Sequence, residues 1–166
     1  MDSPLDMLVE ILNQETALYE KMADILRQEK AATLASRLEG LHAARVAKEQ
    51  LIRAISQLER QRLSAIQAIH REGRDAAGTV SVSNLIRRLD SSSARRLSRS
   101  REMLLATLKR VSDMNAENAS LMAHSVKWVT GAMRLLDHLF NPQTVYHRSG
   151  RFAQNRHAGR VLNGTY

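Results

Sequence analysis

The stretch VSDMNAENASLM, residues 111–122, lies within the longest run of the chain that lacks both proline and glycine. Around it, apolar residues recur at helical spacing, which predicts one long amphipathic helix. The apolar stripe of this helix comprises Leu97, Leu104, Leu108, Val111, Met122, Val129, Ala132, Leu136 and Leu139. Asn115 and Asn118 fall on the same stripe, at positions where leucine or isoleucine would be expected.

Two asparagines on an apolar stripe need polar partners, because a buried amide without a hydrogen bond costs about 1–3 kcal/mol. Asn115 and Asn118 are three residues apart and so share one helix face. We therefore predict that they form a network with polar groups of a facing helix, such as Lys48, Arg62 or Gln14. A polar residue on a helix–helix seam fixes the register at some cost in stability. The two asparagines are predicted to be structural residues that set the register.

The composition favours long helices throughout the chain. The 166 residues include only two prolines and seven glycines, and aromatic residues make up 4% of the total. All-β folds need far more turn-forming residues. We predict an all-α fold, an antiparallel bundle of three long helices and one short helix with coiled-coil-like packing. The helices are expected at about 4–34, 37–71, 84–90 and 93–140, giving a bundle of residues 1–140 and a flexible basic tail of residues 141–166.

Charge is unevenly distributed along the chain, whose formal net charge is +8. Residues 1–35 carry seven acids and three bases, whereas residues 141–166 carry four arginines and no acid. Lys48 and Arg62 interrupt the apolar stripe of the second helix, and the acidic first helix is the expected partner for both. With no cysteine, no basic signal-peptide start and no apolar run of about 20 residues, a cytoplasmic protein is expected.

Catalytic and metal-binding patterns are weak. Glu39 and His42 have the Glu-x-x-His spacing, but a di-iron bundle needs this motif twice, and it occurs once. There is no glycine-rich phosphate loop, and the histidines lack ligand spacing. We therefore expect no enzyme activity, no cofactor, no metal and no small-molecule substrate. The role of residues 71–92 is left open.

Two other functions compete with one based on protein binding. Arg87, Arg88, Arg95 and Arg96, with the basic tail, could contact phosphates, but aromatic side chains for base stacking are almost absent near them, which argues against nucleic acid. Membrane insertion is not expected. A structural coiled-coil protein that self-associates, for example as a homodimer, remains an alternative.

The end of the third long helix is rich in apolar residues. At 1.5 Å per residue, this helix is longer than the first two by on the order of 15–20 Å. Apolar side chains left open at its end would mark an interaction site. The residues concerned are Trp128, Val129, Met133, Leu135, Leu136, Leu139 and Phe140.

Several stretches together resemble one known family. NAENASLM (115–122) resembles the Asn-x-x-Asn signature in the last long helix of the FlgN-type flagellar export chaperones. LVEILNQETALYEKMADILRQEKAATLAS (8–36) and KEQLIRAISQLERQR (48–62) are similar to the first and second helices of that family. VYHRSGR (145–151) resembles its Tyr…Gly element after the last helix. The sequence departs from the family in residues 71–92, where no stretch is matched, and in the longer tail after Arg151.

The resemblance implies a cytoplasmic chaperone of type III flagellar export. Such a chaperone would bind the hook–filament junction proteins, also called hook-associated proteins, keep them unassembled before secretion and pass them to the export apparatus. The family binds its substrates through the C-terminal half. On this sequence, the implied substrate-binding residues are Val129, Met133, Leu136, Phe140, Val145, Tyr146 and Phe152.

Overall fold

The computed structural model describes residues 4–72, 82–87 and 89–140. Four α-helices form this part of the chain, namely α1 (Pro4–Leu34), α2 (Leu38–Glu72), α3 (Val82–Ile86) and α4 (Ser91–Phe140). The predicted all-α class, with three long helices and one short helix, is confirmed. The bounds of the long helices lie within two residues of those expected, whereas α3 is shorter than the expected 84–90 and begins earlier. The tail of residues 141–166 lies outside the described residues.

The turn between α1 and α2 is built without glycine. The Arg37 amide donates to the Ala32 carbonyl (2.9 Å), and the Ser36 amide donates to the Thr33 carbonyl (3.1 Å). This pair of bonds is the Schellman motif, in which the residue after the helix adopts a left-handed conformation. Ser36 takes that conformation with φ of 53°. The turn therefore lies where the sequence predicted it, although serine occupies the position that usually favours glycine.

Two ion pairs define the antiparallel register of α1 and α2. Glu15 of α1 accepts from Arg62 of α2, with Nε to Oε1 at 3.0 Å. Glu29 of α1 accepts from Lys48 of α2, with Nζ to Oε1 at 2.5 Å. The two glutamates are two heptads apart, and so are the two cations. The predicted pairing of Lys48 and Arg62 with the acidic first helix is confirmed.

Helix α4 runs parallel to α1. Arg96 donates to Asp6 (2.8 Å), Arg110 to Glu20, and Lys30 of α1 to Glu117 (3.0 Å). The residue numbers of the α4 partners thus rise together with those of the α1 residues, so the two helices are parallel. Because α2 is antiparallel to α1, the bundle has an up–down–up topology. Asp90 caps the start of α4 by accepting from the Ser92 and Ser93 amides at 3.0 and 3.1 Å. The Ser92 hydroxyl and these amides hold the pKa of Asp90 well below its usual range.

The core consists of apolar layers separated by polar layers. One apolar cluster joins α1, α2 and α4 and is covered by the apolar side of α3; its buried members are Leu8, Leu12, Ile66, Leu97 and Leu104. A second cluster is formed by Met22, Leu26 and Ile55, with Val111 and Met114 packed against it. The Glu15–Arg62 pair lies between the two clusters in sequence, and the Glu29–Lys48 pair follows the second.

The chain divides into two compact units, Met1–Met122 and Ala123–Tyr166. The boundary falls inside α4, whereas the sequence suggested one bundle extending to residue 140. The described part of the second unit is the α4 segment 123–140. Within the described ranges, no helix has the length and apolar character needed to cross a membrane.

Candidate partner-binding surface

Asn118 joins the three long helices through one hydrogen-bonded network. Its side chain is 3% exposed, and its Nδ2 donates to the Leu26 carbonyl (2.8 Å) and to Glu29 Oε2 (2.9 Å). The other carboxylate oxygen of Glu29 accepts from Lys48 of α2. One glutamate of α1 is thus shared between α2 and α4, as a buried carboxylate requires if its lone pairs are to be satisfied.

The second polar layer is the buried pair of Glu15 and Arg62. The side chain of Glu15 is almost fully buried, and that of Arg62 is about one-quarter exposed. Burial raises the pKa of Glu15, while the hydrogen bond and positive charge of Arg62 act in the opposite direction. The guanidinium therefore compensates only part of the cost of placing this carboxylate in the core.

Asn115 does not share the network of Asn118, so that part of the sequence prediction is wrong. Its side chain is exposed and lies at the rim of a groove between α2 and α4. The two asparagines are neighbours on the helix surface, yet only Asn118 lies on the side that faces α1. The predicted partners Arg62 and Gln14 bond elsewhere, to Glu15 and Glu10 respectively. The role of Asn118 in setting the register remains a prediction.

The groove between α2 and α4 has α1 as its floor and a volume of about 620 Å³. Tyr19 and Met22 line the floor, Ile52 and Ile55 the α2 side, and Val111 the α4 side. Charged residues of both signs also line this groove. This mixed surface carries no arrangement of groups that points to a particular ligand.

The end of α4 carries a continuous exposed apolar surface. From Val126 to Phe140, every residue is exposed, and the large apolar side chains retain 51–81% of their accessible surface. These side chains are Val126, Trp128, Val129, Met133, Leu135, Leu136, Leu139 and Phe140. An apolar surface of this extent on a folded chain marks a site for another molecule.

The apolar residues of this segment form two neighbouring stripes. The first stripe is Val126, Val129, Met133, Leu136 and Phe140, and the second stripe is Trp128, Ala132, Leu135 and Leu139. Each follows the three–four spacing of a helix–helix seam. Together they occupy four adjacent heptad positions, about half of the helix circumference. The other half carries Lys127, Thr130, Gly131, Arg134, Asp137 and His138.

The structure places four of the predicted substrate-binding residues on one surface. Val129, Met133, Leu136 and Phe140 all lie on the first stripe and are exposed. Val145, Tyr146 and Phe152 lie outside the described residues. The second stripe was noted in the sequence as apolar but was not included in the predicted site. Counting the apolar heptad positions of this segment would have revealed the second stripe. A single helix–helix seam uses two of the seven positions, whereas this segment has four apolar positions.

Metal-binding groups are not part of this surface. Among the described residues, no cluster of three or more His, Cys, Asp or Glu side chains could hold a metal ion.

A protein-family model described as FlgN protein matches residues 1–154 of the chain. Comparison with curated proteins and with solved structures gives no match.

Proposed function

The chain belongs to the FlgN family, and we propose that it acts as the export chaperone of hook-associated flagellar proteins. Membership of the family gives it a role as a flagellar export chaperone. The proposal adds the client: hook–filament junction proteins, bound in the cytoplasm and kept unassembled until they are handed to the export apparatus. The binding residues are those of the first stripe, followed by Val145, Tyr146 and Phe152 of the tail.

The observation that carries the proposal is the exposed apolar half of α4 between Val126 and Phe140. A chaperone that prevents assembly has to cover the apolar surface through which its client would assemble. An amphipathic client helix laid along the first stripe would bury Val129, Met133 and Leu136 together, because helix-in-groove binding uses this three–four spacing. Each such side chain contributes about 1.5–3 kcal/mol when it is fully buried.

The arrangement also suits release. Unit 1 holds both core clusters and its own polar layers, so its folding does not depend on a client. Much of the gross gain at the α4 surface is offset by the loss of translational freedom and by the ordering of side chains on binding. The result is an affinity high enough to protect the client and low enough for transfer to the export apparatus.

The test uses purified full-length chain and purified hook-associated protein from the same bacterium. We expect a 1:1 complex for the unaltered chain and at least a 10-fold higher Kd for Met133→Glu, measured by isothermal titration calorimetry. Lys127→Glu is the matched control, because it introduces the same side chain in the middle of the polar half of α4, away from both stripes. Its Kd should stay within about threefold of the unaltered chain.

Two results would refute the proposal. One is the absence of binding to every hook-associated protein tested. The other is unchanged affinity of Met133→Glu and Leu136→Glu, with helix content intact by circular dichroism. A chain that instead forms a concentration-dependent homodimer, broken by Met133→Glu, would favour the self-associating coiled coil. Strongly salt-dependent binding to any DNA duplex would favour nucleic acid.

A further inference from the structure

The apolar half of α4 between Val126 and Phe140 is wider than one partner helix can cover. A single helix packed along a seam contacts a stripe of two heptad positions. The exposed segment offers four adjacent positions, made of the first and second stripes. The outermost positions are those of Met133 on one edge and Leu135 on the other, which lie about 160° apart around the helix axis by α-helical geometry.

Helix α1 of the same chain also has a face four heptad positions wide, and its neighbours show how many helices cover such a face. Along α1, four adjacent heptad positions are buried or half-buried, and the positions of Met7, Glu10 and Asn13 are the exposed side. Ala32 on one edge contacts α2 near Gly40, and Lys30 on the other edge bonds to Glu117 of α4. A helix with four covered positions is therefore one that lies between two neighbouring helices.

Within unit 1, the α4 segment itself has a narrower covered face. Two heptad positions are buried or half-buried throughout, represented by Leu97 and Ser100, and a third is mostly half-buried. The side-chain bonds of this segment described above join it to α1. The positions equivalent to the first stripe in the preceding segment are mixed in character, because they hold Ser98, Ser112 and Asn115 as well as Leu105, Leu108 and Met122.

We infer that the end of α4 is bound by two helices of the client at once, one on each stripe, and this inference rests on the proposed function. Each client helix is amphipathic, with an apolar seam at three–four spacing. The two client helices pack against α4 side by side, as α2 and α4 pack against α1. Lys127 and Arg134 then stay exposed to water. The second stripe, with Trp128 and Leu135, is thereby an interaction surface in its own right.

The other occupants fit less well. A second copy of the chain, packed end to end through the same segment, would bring one helix to each α4 and leave one stripe uncovered. The 26 residues after Phe140 have no apolar periodicity and a charge of +4 from four arginines, so their sequence lacks the two apolar seams that would match the stripes. A client with two helices covers both stripes and leaves no apolar edge exposed.

Three consecutive positions of the full-length chain test the inference. A photoreactive benzoylphenylalanine is placed at Met133 (first stripe), Arg134 (polar half) or Leu135 (second stripe), and each chain is irradiated with purified hook-associated protein. Cross-linked peptides are then identified by mass spectrometry. We expect positions 133 and 135 to link to two different helical segments of the client, and position 134 to give less than one-tenth of their yield.

Affinities complete the test. Met133→Glu and Leu135→Glu should each raise Kd at least 10-fold, while Lys127→Glu, on the polar half of α4, stays within about threefold. Cross-links from 133 and 135 to one and the same client segment would overturn the two-helix inference and leave the proposed function intact, as would unchanged affinity of Leu135→Glu alone. Links only to a second copy of the chain, or none to the client, would overturn both.

Discussion

One helix, α4, behaves as two different helices along its length. Between Ser91 and Met122, Leu97 and Leu104 are buried whereas Met103 and Leu105 are exposed. The other buried positions are polar and include Ser100, Thr107 and Asn118. Between Val126 and Phe140, apolar residues make up a larger fraction of the segment, and every one is exposed. The more hydrophobic segment is thus the one that the described chain leaves uncovered.

The physical consequence is that the free energy of folding and the free energy of partner binding depend on different segments of α4. In unit 1, burial stabilises the fold, and the polar residues in its seams limit which helices fit one another. In the 123–140 segment, side chains of similar type contribute little to folding and are available for binding. Substitutions of the same kind in the two segments should therefore give different results, and those differences test the comparison.

The largest contrast is expected between Leu97→Ala and Leu135→Ala. Leu97 is 0% exposed in the first core cluster, whereas Leu135 on the same helix is 60% exposed. Removing buried methyl groups costs the transfer free energy and leaves a cavity, so Leu97→Ala should lower the free energy of unfolding by about 2–5 kcal/mol. Leu135→Ala should lower it by less than about 0.5 kcal/mol. Urea unfolding of both variants at pH 7 measures this, and equal losses would show that the 123–140 segment is packed like the core.

The second contrast concerns the buried pair in unit 1. Arg62→Met leaves Glu15 as a buried carboxylate without its cation, and we expect a loss of about 2–3 kcal/mol at pH 7, at the lower end for buried pairs because Arg62 is partly exposed. Arg53→Met is the control: Arg53 pairs with Glu49 on the surface of the same helix at 4.0 Å, and its loss should cost less than about 0.5 kcal/mol.

The pH dependence of Arg62→Met follows from the pKa of Glu15, which burial already raises. A carboxyl whose folded-state pKa exceeds its unfolded value favours the fold below the unfolded pKa, and this contribution is lost as the pH rises through the folded pKa. Removing Arg62 takes away the groups that lower this pKa, so it rises further. The destabilisation should therefore be smaller at pH 4 than at pH 7. A loss that is equal at both pH values would mean that Glu15 is not the source.

Much of the fold could be read from periodicity, whereas single positions could not. The apolar spacing and the two basic residues that interrupt the apolar stripe of α2, Lys48 and Arg62, were enough to predict that the acidic first helix packs against the second. Asn115 and Asn118 could not be separated, because the position of a seam within a half-apolar helix depends on the angle at which its neighbour packs. The second stripe of the proposed binding surface was not included in the predicted site, because the sequence was searched for a single helix–helix seam and the first stripe already satisfied that pattern.

The third contrast separates the two asparagines. Asn118→Ala removes two hydrogen bonds and leaves Glu29 Oε2 without the amide that it accepts from, so we expect a loss of about 1–2 kcal/mol in the free energy of unfolding. Asn115→Ala, three residues away and exposed, should change it by less than about 0.5 kcal/mol. Both variants gain the same helix propensity, so the difference between their urea midpoints isolates the network. A larger loss for Asn115→Ala would place the polar seam on the other face of α4.

The smallest contrast concerns two glycines in helices, whose substitution by alanine should change stability in opposite directions. A Cβ at Gly40 would lie 2.9 Å from the Cβ of Ala32, so Gly40→Ala forces α1 and α2 apart near their turn. Overpacking of this kind outweighs the gain in helix propensity, and we expect a net loss of about 1 kcal/mol. A Cβ at Gly131 meets nothing within 4 Å, so Gly131→Ala should stabilise the local helix by about 0.5–1 kcal/mol. Slower amide hydrogen exchange around residue 131, measured by mass spectrometry, would show this gain, and faster exchange would contradict it. Because the proposed client binds the helical form of α4, Gly131→Ala should also lower the Kd for the client slightly, by reducing the fraction of chains in which the helix near residue 131 is frayed before binding.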